Sequence, residues 1–301
     1  MNLYQELCSI VGEDNVLRDE PMAVHTTFRI GGPADYFVTP AGADEIGRIV
    51  GVCRSADIPY YVIGNGSNLL VGDKGYRGVI IQIYKNMNRI EVQDNEIRVQ
   101  AGALLSKTAA AAYEAGLTGL EFASGIPGTV GGAVRMNAGA YGGEMKQVLK
   151  NASVLTPEGR ILTLTADEMK MGYRTSIVSR MDYVVLEAVL TLTPGSREEI
   201  RSRMEELKEQ RVSKQPLEYG SAGSTFKRPE GYFAGKLIQD AGLRGFRVGN
   251  AQVSEKHCGF VINRGGATAK EVTELMDEVV RRVEENSGVR LEPEVKKIGE
   301  F

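Results

Sequence analysis

Two glycine-rich segments carry the residue types that can hold a flat or phosphorylated ligand. From Phe122 to Glu144 the chain has seven glycines, at 125, 128, 131, 132, 139, 142 and 143, interleaved with Ile126, Val130, Arg135, Met136, Asn137 and Tyr141. Glycine at that density lets backbone approach a ligand closely and reach positive φ without strain. It also raises the entropy lost on folding, so a bound ligand or tight packing must compensate. A plain glycine-rich turn between strands fits the same letters. The second segment, Gly64-Asn65-Gly66-Ser67-Asn68-Leu69-Leu70, follows the apolar run Tyr60-Tyr61-Val62-Ile63. Successive amides in a Gly/Asn/Ser turn form a concave nest for phosphate oxygens. A dinucleotide fingerprint needs Gly or Ala at its sixth position, where Leu69 stands. A Walker loop needs Ser or Thr after its lysine, and Lys74 is followed by Gly75. The expectation is a pyrophosphate cradle of another kind.

With these blocks stand Thr27-Phe28-Arg29-Ile30-Gly31-Gly32, Gly172-Tyr173-Arg174, Ala222-Gly223-Ser224-Thr225-Phe226-Lys227 and the tail Leu291-Glu292-Pro293-Glu294-Val295. Taken together, and in this order, they resemble the UDP-N-acetylenolpyruvoylglucosamine reductase family over nearly the whole chain. The resemblance implies an α/β + α+β protein with the FAD-binding fold of the PCMH, or vanillyl-alcohol-oxidase, type. Two subdomains would clamp the flavin, 1–84 (with 292–301 returning to it) and 85–210. A C-terminal domain, 211–291, would bind substrate. The implied activity is NADPH-dependent reduction of UDP-N-acetylglucosamine enolpyruvate to UDP-N-acetylmuramate. That step belongs to peptidoglycan precursor synthesis, and through it to cell-wall biogenesis, cell shape and cell division.

The family reaction has two halves. NADPH gives hydride to the flavin, and the reduced flavin gives hydride to C3 of the enolpyruvyl group. Charge is left on C2 and the carboxylate, so a proton must reach C2 and the enolate needs electrostatic support. By resemblance Ser224 is the proton donor, although a serine hydroxyl is a very weak acid and a turn serine bonding its own backbone is the ordinary alternative. Arg174 matches the catalytic arginine, whose guanidinium cannot lose its proton. Glu294 matches the glutamate that works beside it; Pro293 argues for a fixed extended segment there. Tyr173, Lys214, Lys227 and Arg228 are expected to bind substrate, Lys214 as a point charge for a diphosphate. Gly64, Asn65, Gly66, Ser67, Asn68 and Leu69 are expected on the FAD. So are Gly125, Thr129, Gly131, Gly132, Asn137, Ala138, Gly139 and Tyr141. One branch of the family inserts a loop with a substrate-covering tyrosine between the positions of Arg174 and Lys214. Only a turn, a strand and a charged helix lie there in this chain, so it resembles the shorter, type II branch. Neither His25 nor His257 stands close to Gly64–Leu70 along the sequence, so FAD is expected to be non-covalent.

The elements that must position these residues follow from periodicity. Helices are expected from Asp44 to Ala56, Leu104 to Ala115 and Phe233 to Ala241. Two capping boxes, Ser196-Arg197-Glu198-Glu199 and Thr268-Ala269-Lys270-Glu271, open two more. The first of these has Ile200, Met204 and Leu207 on one face, with its charges read as a solvated face. Strands are expected at Tyr60–Ile63, 78–83, Tyr183–Leu192 and Gly259–Asn263. Hairpins are expected across Gln93-Asp94-Asn95 and Pro157-Glu158-Gly159.

Bulk properties agree with a soluble enzyme. The chain has 301 residues, a formal charge of −3 and a hydrophobic share of 42%. It is long enough for sizeable cores, and a broad attraction to nucleic acid is not indicated. Three cysteines with no C-x-x-C pair and two histidines argue against a disulfide framework and a zinc site. The N-terminus lacks a signal-peptide pattern and no apolar run suits a bilayer, so a cytoplasmic monomer without nucleic-acid or membrane partners is expected. Two rivals remain on the letters alone. One is another FAD-dependent oxidoreductase, a sugar or alcohol oxidase, on the same scaffold. The other is a non-catalytic flavin-binding module.

Overall fold

Helix α1 (Leu3–Val11) buries Leu7, Ile10 and Val11, and Asn2 caps it by accepting from the Gln5 amide at 2.9 Å. It goes unread in the sequence because that apolar stripe is so short. The computed structural model describes residues 2–301 and divides the chain into two units. The first holds residues up to Arg18, Tyr36–Asn65 and Gly78–Arg211; the second holds Asp19–Asp35, Gly66–Arg77 and Val212–Phe301.

In the first unit, α2 (Ala43–Ser55) buries Ile46, Ile49, Val50 and Cys53, the face their spacing predicts. Burial pushes the Cys53 thiol up to about 11, so it is an inert core residue. Tyr60–Ile63 pairs in parallel with Tyr76–Gln82, from Tyr60 opposite Val79 to Ile63 opposite Gln82. Five antiparallel strands form a second sheet in the order Ile161–Thr165, Leu149–Leu155, Val184–Thr191, Glu96–Gln100 and Ile90–Gln93. Both hairpins fall where turn chemistry puts them. Leu155 faces Ile161 across the Pro157-Glu158-Gly159 turn, and Gln93 faces Glu96 across Asp94-Asn95. Helix α3 (Leu105–Glu114) buries Leu105, Thr108, Ala109 and Ala112. Helix α4 (Val130–Met136) grows out of the glycine-rich segment and buries Val130, Ala133 and Val134. Two glycines in its first turn disfavour a helix, so tertiary packing overrides propensity there. After the short α5 (Ile177–Arg180), α6 (Arg197–Lys214) buries only Ile200 and Leu207. Pairs such as Arg201–Glu205 lace its solvated side.

In the second unit, α7 (Ala234–Asp240) and α8 (Ala269–Ser287) accompany an antiparallel sheet of Arg247–Val248, Ala251–Val253 and Val261–Asn263. Helix α8 has its full capping box between Thr268 and Glu271 and ends at Gly288 with φ 71°. Asp73 adds a second cap: its carboxylate accepts from the Ala269 amide at 2.7 Å and the Lys270 amide at 2.9 Å. Val272, Leu275, Met276, Val279 and Val283 line its buried side. Near the C-terminus, Lys296–Ile298 runs parallel to Leu69–Val71. That pairing ties the tail to the strand leaving the Gly64–Leu70 loop. No helix among the described residues is long and apolar enough to cross a membrane.

Candidate active site

Within the second unit, three sequence-distant segments meet at Thr225. Its amide donates to the Gly259 carbonyl at 2.9 Å, and its hydroxyl accepts from the Val261 amide at 2.8 Å. Its carbonyl accepts from the Glu294 amide at 2.8 Å. Phe226 bridges Pro293, and the Lys227 amide donates to the Glu292 carbonyl at 2.8 Å. The tail therefore lies as an extended segment beside residues 225–227, as Pro293 implies. Thr225 is 1% exposed and Glu294 9% exposed, whereas Ser224 is exposed. Among the described residues, no acceptor takes the Ser224 hydroxyl, so it is not spent on a local turn. A locked threonine thus fixes the backbone that carries the Ser224 hydroxyl to the backbone of Glu294.

The nest segment reaches the same place. The Asn68 side-chain amide donates to the Glu294 carbonyl at 3.3 Å, and the Lys296 amide donates to the Asn68 carbonyl at 3.0 Å. Among the described residues, the amides of Gly66, Ser67 and Asn68 donate to nothing in the chain, which leaves them for a ligand's oxygens. Gly66 has φ +59°, and a Cβ there would lie 2.1 Å from the His25 carbonyl oxygen. Glycine at 66 is thus demanded by the chain's own packing, whatever the ligand needs. This also corrects the histidine reading. His25 is remote from the loop along the sequence, but its backbone abuts Gly66 in space. Its ring turns to Glu20 instead, with Nε2 2.8 Å from the carboxylate.

The remaining substrate candidates of this unit differ in how free they are. Lys227 Nζ pairs with the Glu292 carboxylate at 2.9 Å. The Arg228 guanidinium lies 4.0 Å from the Phe233 ring centroid, a cation–π contact. Lys214 is exposed at the end of α6.

In the first unit the start of the Gly64–Leu70 loop packs on the longer glycine-rich segment. A Cβ on Gly64 would lie 2.1 Å from the Thr129 hydroxyl, so only bare backbone fits against it. The Asn65 side chain donates to the Pro127 carbonyl at 2.6 Å. Thr129 is buried, and the Gly131 amide donates to the Ala101 carbonyl at 2.8 Å. Ala138 donates its amide to Ala133 at 2.8 Å, and Gly139 opens a hairpin with Gly143–Glu144 whose tip is Tyr141 and Gly142. Gly132 has ordinary space, with Thr129 3.6 Å from a Cβ there.

Arg174 sits on a two-residue turn closed by Gly172 and Thr175, with amide-to-carbonyl distances of 2.9 and 3.2 Å. Its φ is +55° and its guanidinium lies 5.1 Å from the Tyr173 ring centroid. Asn137 anchors that turn: its side-chain amide donates to the Gly172 carbonyl at 3.2 Å and to Glu144 at 2.8 Å, and its oxygen accepts from the Lys146 amide at 2.9 Å. Asn137 is 1% exposed, so its polar atoms serve this junction. Arg211, one of the charges of α6, is half-buried where its neighbours Lys208, Glu209 and Val212 are exposed.

A parallel α/β layer, an antiparallel α+β sheet and glycine-walled loops with unspent amides define a flavin-binding oxidoreductase scaffold carrying a further C-terminal domain. Comparison with known proteins agrees. A family model described as FAD binding domain matches residues 34–165. Another, described as UDP-N-acetylenolpyruvoylglucosamine reductase, C-terminal domain, matches residues 215–298. The chain is 59% identical over 298 residues to the UDP-N-acetylenolpyruvoylglucosamine reductase of Agathobacter rectalis, covering 95% of each chain. It is 53% identical over 302 residues to that of Lachnoclostridium phytofermentans, covering 99% of this chain and 97% of the relative. The crystal structure of UDP-N-acetylenolpyruvylglucosamine reductase (MurB) from Thermus caldophilus superposes with a TM-score of 0.80 at 38% identity, over 94% of this chain and 98% of that one. The chain belongs to the UDP-N-acetylenolpyruvoylglucosamine reductase family, and its length fits the short branch. It is an oxidoreductase of peptidoglycan precursor synthesis.

Proposed function

We propose that this chain binds FAD without a covalent link, uses NADPH as hydride donor and converts UDP-N-acetylglucosamine enolpyruvate to UDP-N-acetylmuramate. The observation that carries the reading is an exposed, unspent serine hydroxyl at Ser224, next in sequence to Thr225, whose carbonyl accepts from the amide of the nearly buried Glu294 at 2.8 Å. An enolate needs a proton donor and charge control side by side, and a simple flavin-binding module needs neither. Family membership at high identity supports the substrate.

The residues present fit FAD. The free amides of Gly66, Ser67 and Asn68 suit phosphate oxygens, and glycine at 64 lets Thr129 pack directly on the start of the loop that carries them. We assign Gly64 to Leu69, Gly125, Thr129, Gly131, Gly132, Asn137, Ala138, Gly139 and Tyr141 to holding it. Asn137 acts by fixing the Gly172 turn. Bound FAD supplies a hydride carrier between NADPH and the enolpyruvyl carbon. Ser224 gives its proton to C2 of the substrate. Arg174 and Glu294 hold the charge that develops on the enolate. Tyr173, Lys214, Lys227 and Arg228 bind the nucleotide substrate, Lys214 and Arg228 through its phosphates. Residues 1–84 with 292–301, and 85–210, serve the flavin, and 211–291 serve the substrate. The enzyme works in the cytoplasm as a monomer.

The visible spectrum of the purified protein tests the reading. Flavin bands should bleach with anaerobic NADPH and return when the enolpyruvyl substrate is added. Bands that bleach and return only with oxygen would favour an oxidase. Bands that never bleach with NADPH would favour a non-catalytic module.

A further inference from the structure

Arg211 stands apart from the rest of α6. Most of its charged neighbours on that helix are exposed or paired within the helix, whereas Arg211 is half-buried. Among the described residues, no carboxylate, carbonyl or hydroxyl accepts from its guanidinium. Burial holds that guanidinium below the usual arginine value, with Tyr141 the opposing influence.

Its position is specific. A Cβ on Gly125 would lie 3.0 Å from an Arg211 terminal nitrogen and 3.1 Å from its Cδ, so the side chain lies directly against the bare backbone at 125. Gly125 is itself exposed, so the cation borders open surface, not closed core. Tyr141 sits at the tip of the neighbouring hairpin with φ +53° and 38% exposure. A bulky residue takes that backbone conformation only under constraint, and such constraint gathers at ligand sites. A desolvated cation without a counter-charge is costly until one is supplied.

Resting on the reading that this chain binds FAD, we propose that Arg211 is a cofactor-binding residue. It donates to an anionic oxygen of the bound FAD at the face made by Gly125 and Tyr141. The planar guanidinium suits two oxygens at once. FAD is favoured over the sugar nucleotide because Gly125 and Tyr141 both lie in the span matched by the FAD binding domain. Arg211 belongs to the same unit as both.

The test titrates full-length apoprotein with FAD, read by quenching of flavin fluorescence, and follows thermal unfolding of the same apoprotein. Wild type, Arg211→Gln and Arg211→Lys are compared. Arg211→Gln should weaken FAD binding about 10- to 100-fold, the range for a charged hydrogen bond. Arg211→Lys should lose less. The apoprotein Tm of Arg211→Gln should be unchanged or higher, because an uncompensated cation has been removed. Wild-type apoprotein that takes up no FAD overturns the underlying reading, and the inference with it. Wild type that binds FAD while Arg211→Gln binds it equally well overturns the inference alone. A lowered apoprotein Tm with unchanged FAD affinity makes Arg211 structural and overturns it too. A loss confined to the enolpyruvyl substrate or NADP, read from the flavin spectrum of the holoprotein, overturns it in favour of a substrate-side cation.

Discussion

The role proposed for Ser224 asks placement alone to make a weak acid usable. Thr225, pinned on three sides, fixes the backbone that carries it, and no acceptor in the described chain competes for its hydrogen. Ser224→Ala should slow re-oxidation of the flavin by the enolpyruvyl substrate about 10²- to 10⁴-fold, the usual loss for a general acid. Flavin reduction by NADPH should stay near wild type in anaerobic stopped-flow. Ser224→Cys should keep more activity than the alanine variant, since a thiol still carries a proton. Re-oxidation of Ser224→Ala at the wild-type rate would place the donor elsewhere. Arg174→Ala and Glu294→Gln should each slow the same half-reaction by about 10²- to 10³-fold, the scale of one transition-state electrostatic group. Equal slowing of both half-reactions would reassign them to flavin binding or folding. His257 has a different part. Burial, helped by Arg244, holds its imidazole below the usual value of about 6.5, and its Nδ1 accepts from the Gly259 amide. The folded state thus favours the neutral ring. Its stability contribution is full above pH about 6.5 and is lost as pH falls through the lower folded value. Urea unfolding midpoints of His257→Gln should decline less between pH 7 and pH 5 than those of wild type.

At the scale of elements, the ends matter more than the middles. Helix α8 holds the core of the second unit, and its first amides are taken by Thr268 and by Asp73, which comes from far back in the chain. A carboxylate there also meets the positive end of the helix dipole. Asp73→Ala should cost about 1–2 kcal/mol in urea unfolding, the upper range for a lost N-cap. A variant as stable as wild type would show that water replaces Asp73 freely. The hairpin turns at Asp94-Asn95 and Pro157-Glu158-Gly159 and the Thr268 box were legible because each depends on a few adjacent residues. Helix α4 was not, since two glycines in its first turn argue against it and only packing of Val130, Ala133 and Val134 recovers it.

For the whole molecule, FAD held without a covalent link, as proposed, would act as a ligand of the native state. Free FAD at about 100 times its Kd should add about 2.7 kcal/mol to unfolding, so Tm should climb with FAD concentration. Acid precipitation should leave the flavin in the supernatant. Flavin that stays with the pellet, and a Tm indifferent to added FAD, would mean a covalent bond.

The order and wording of the sequence blocks determined the family, the oxidoreductase class and most helices and hairpins, because those features depend on local residue identity. Tertiary structure alone decided which distant residues touch. It set Thr225 against Glu294, Gly64 against Thr129, His25 against Gly66 and Arg211 against Gly125. No local propensity encodes such pairs, since strand register and close backbone approach are settled by the summed packing of whole elements. That is why Gly66 read as a ligand's glycine when the chain itself requires it. It is also why Arg211 read as one more solvated charge until its burial without a partner set it apart.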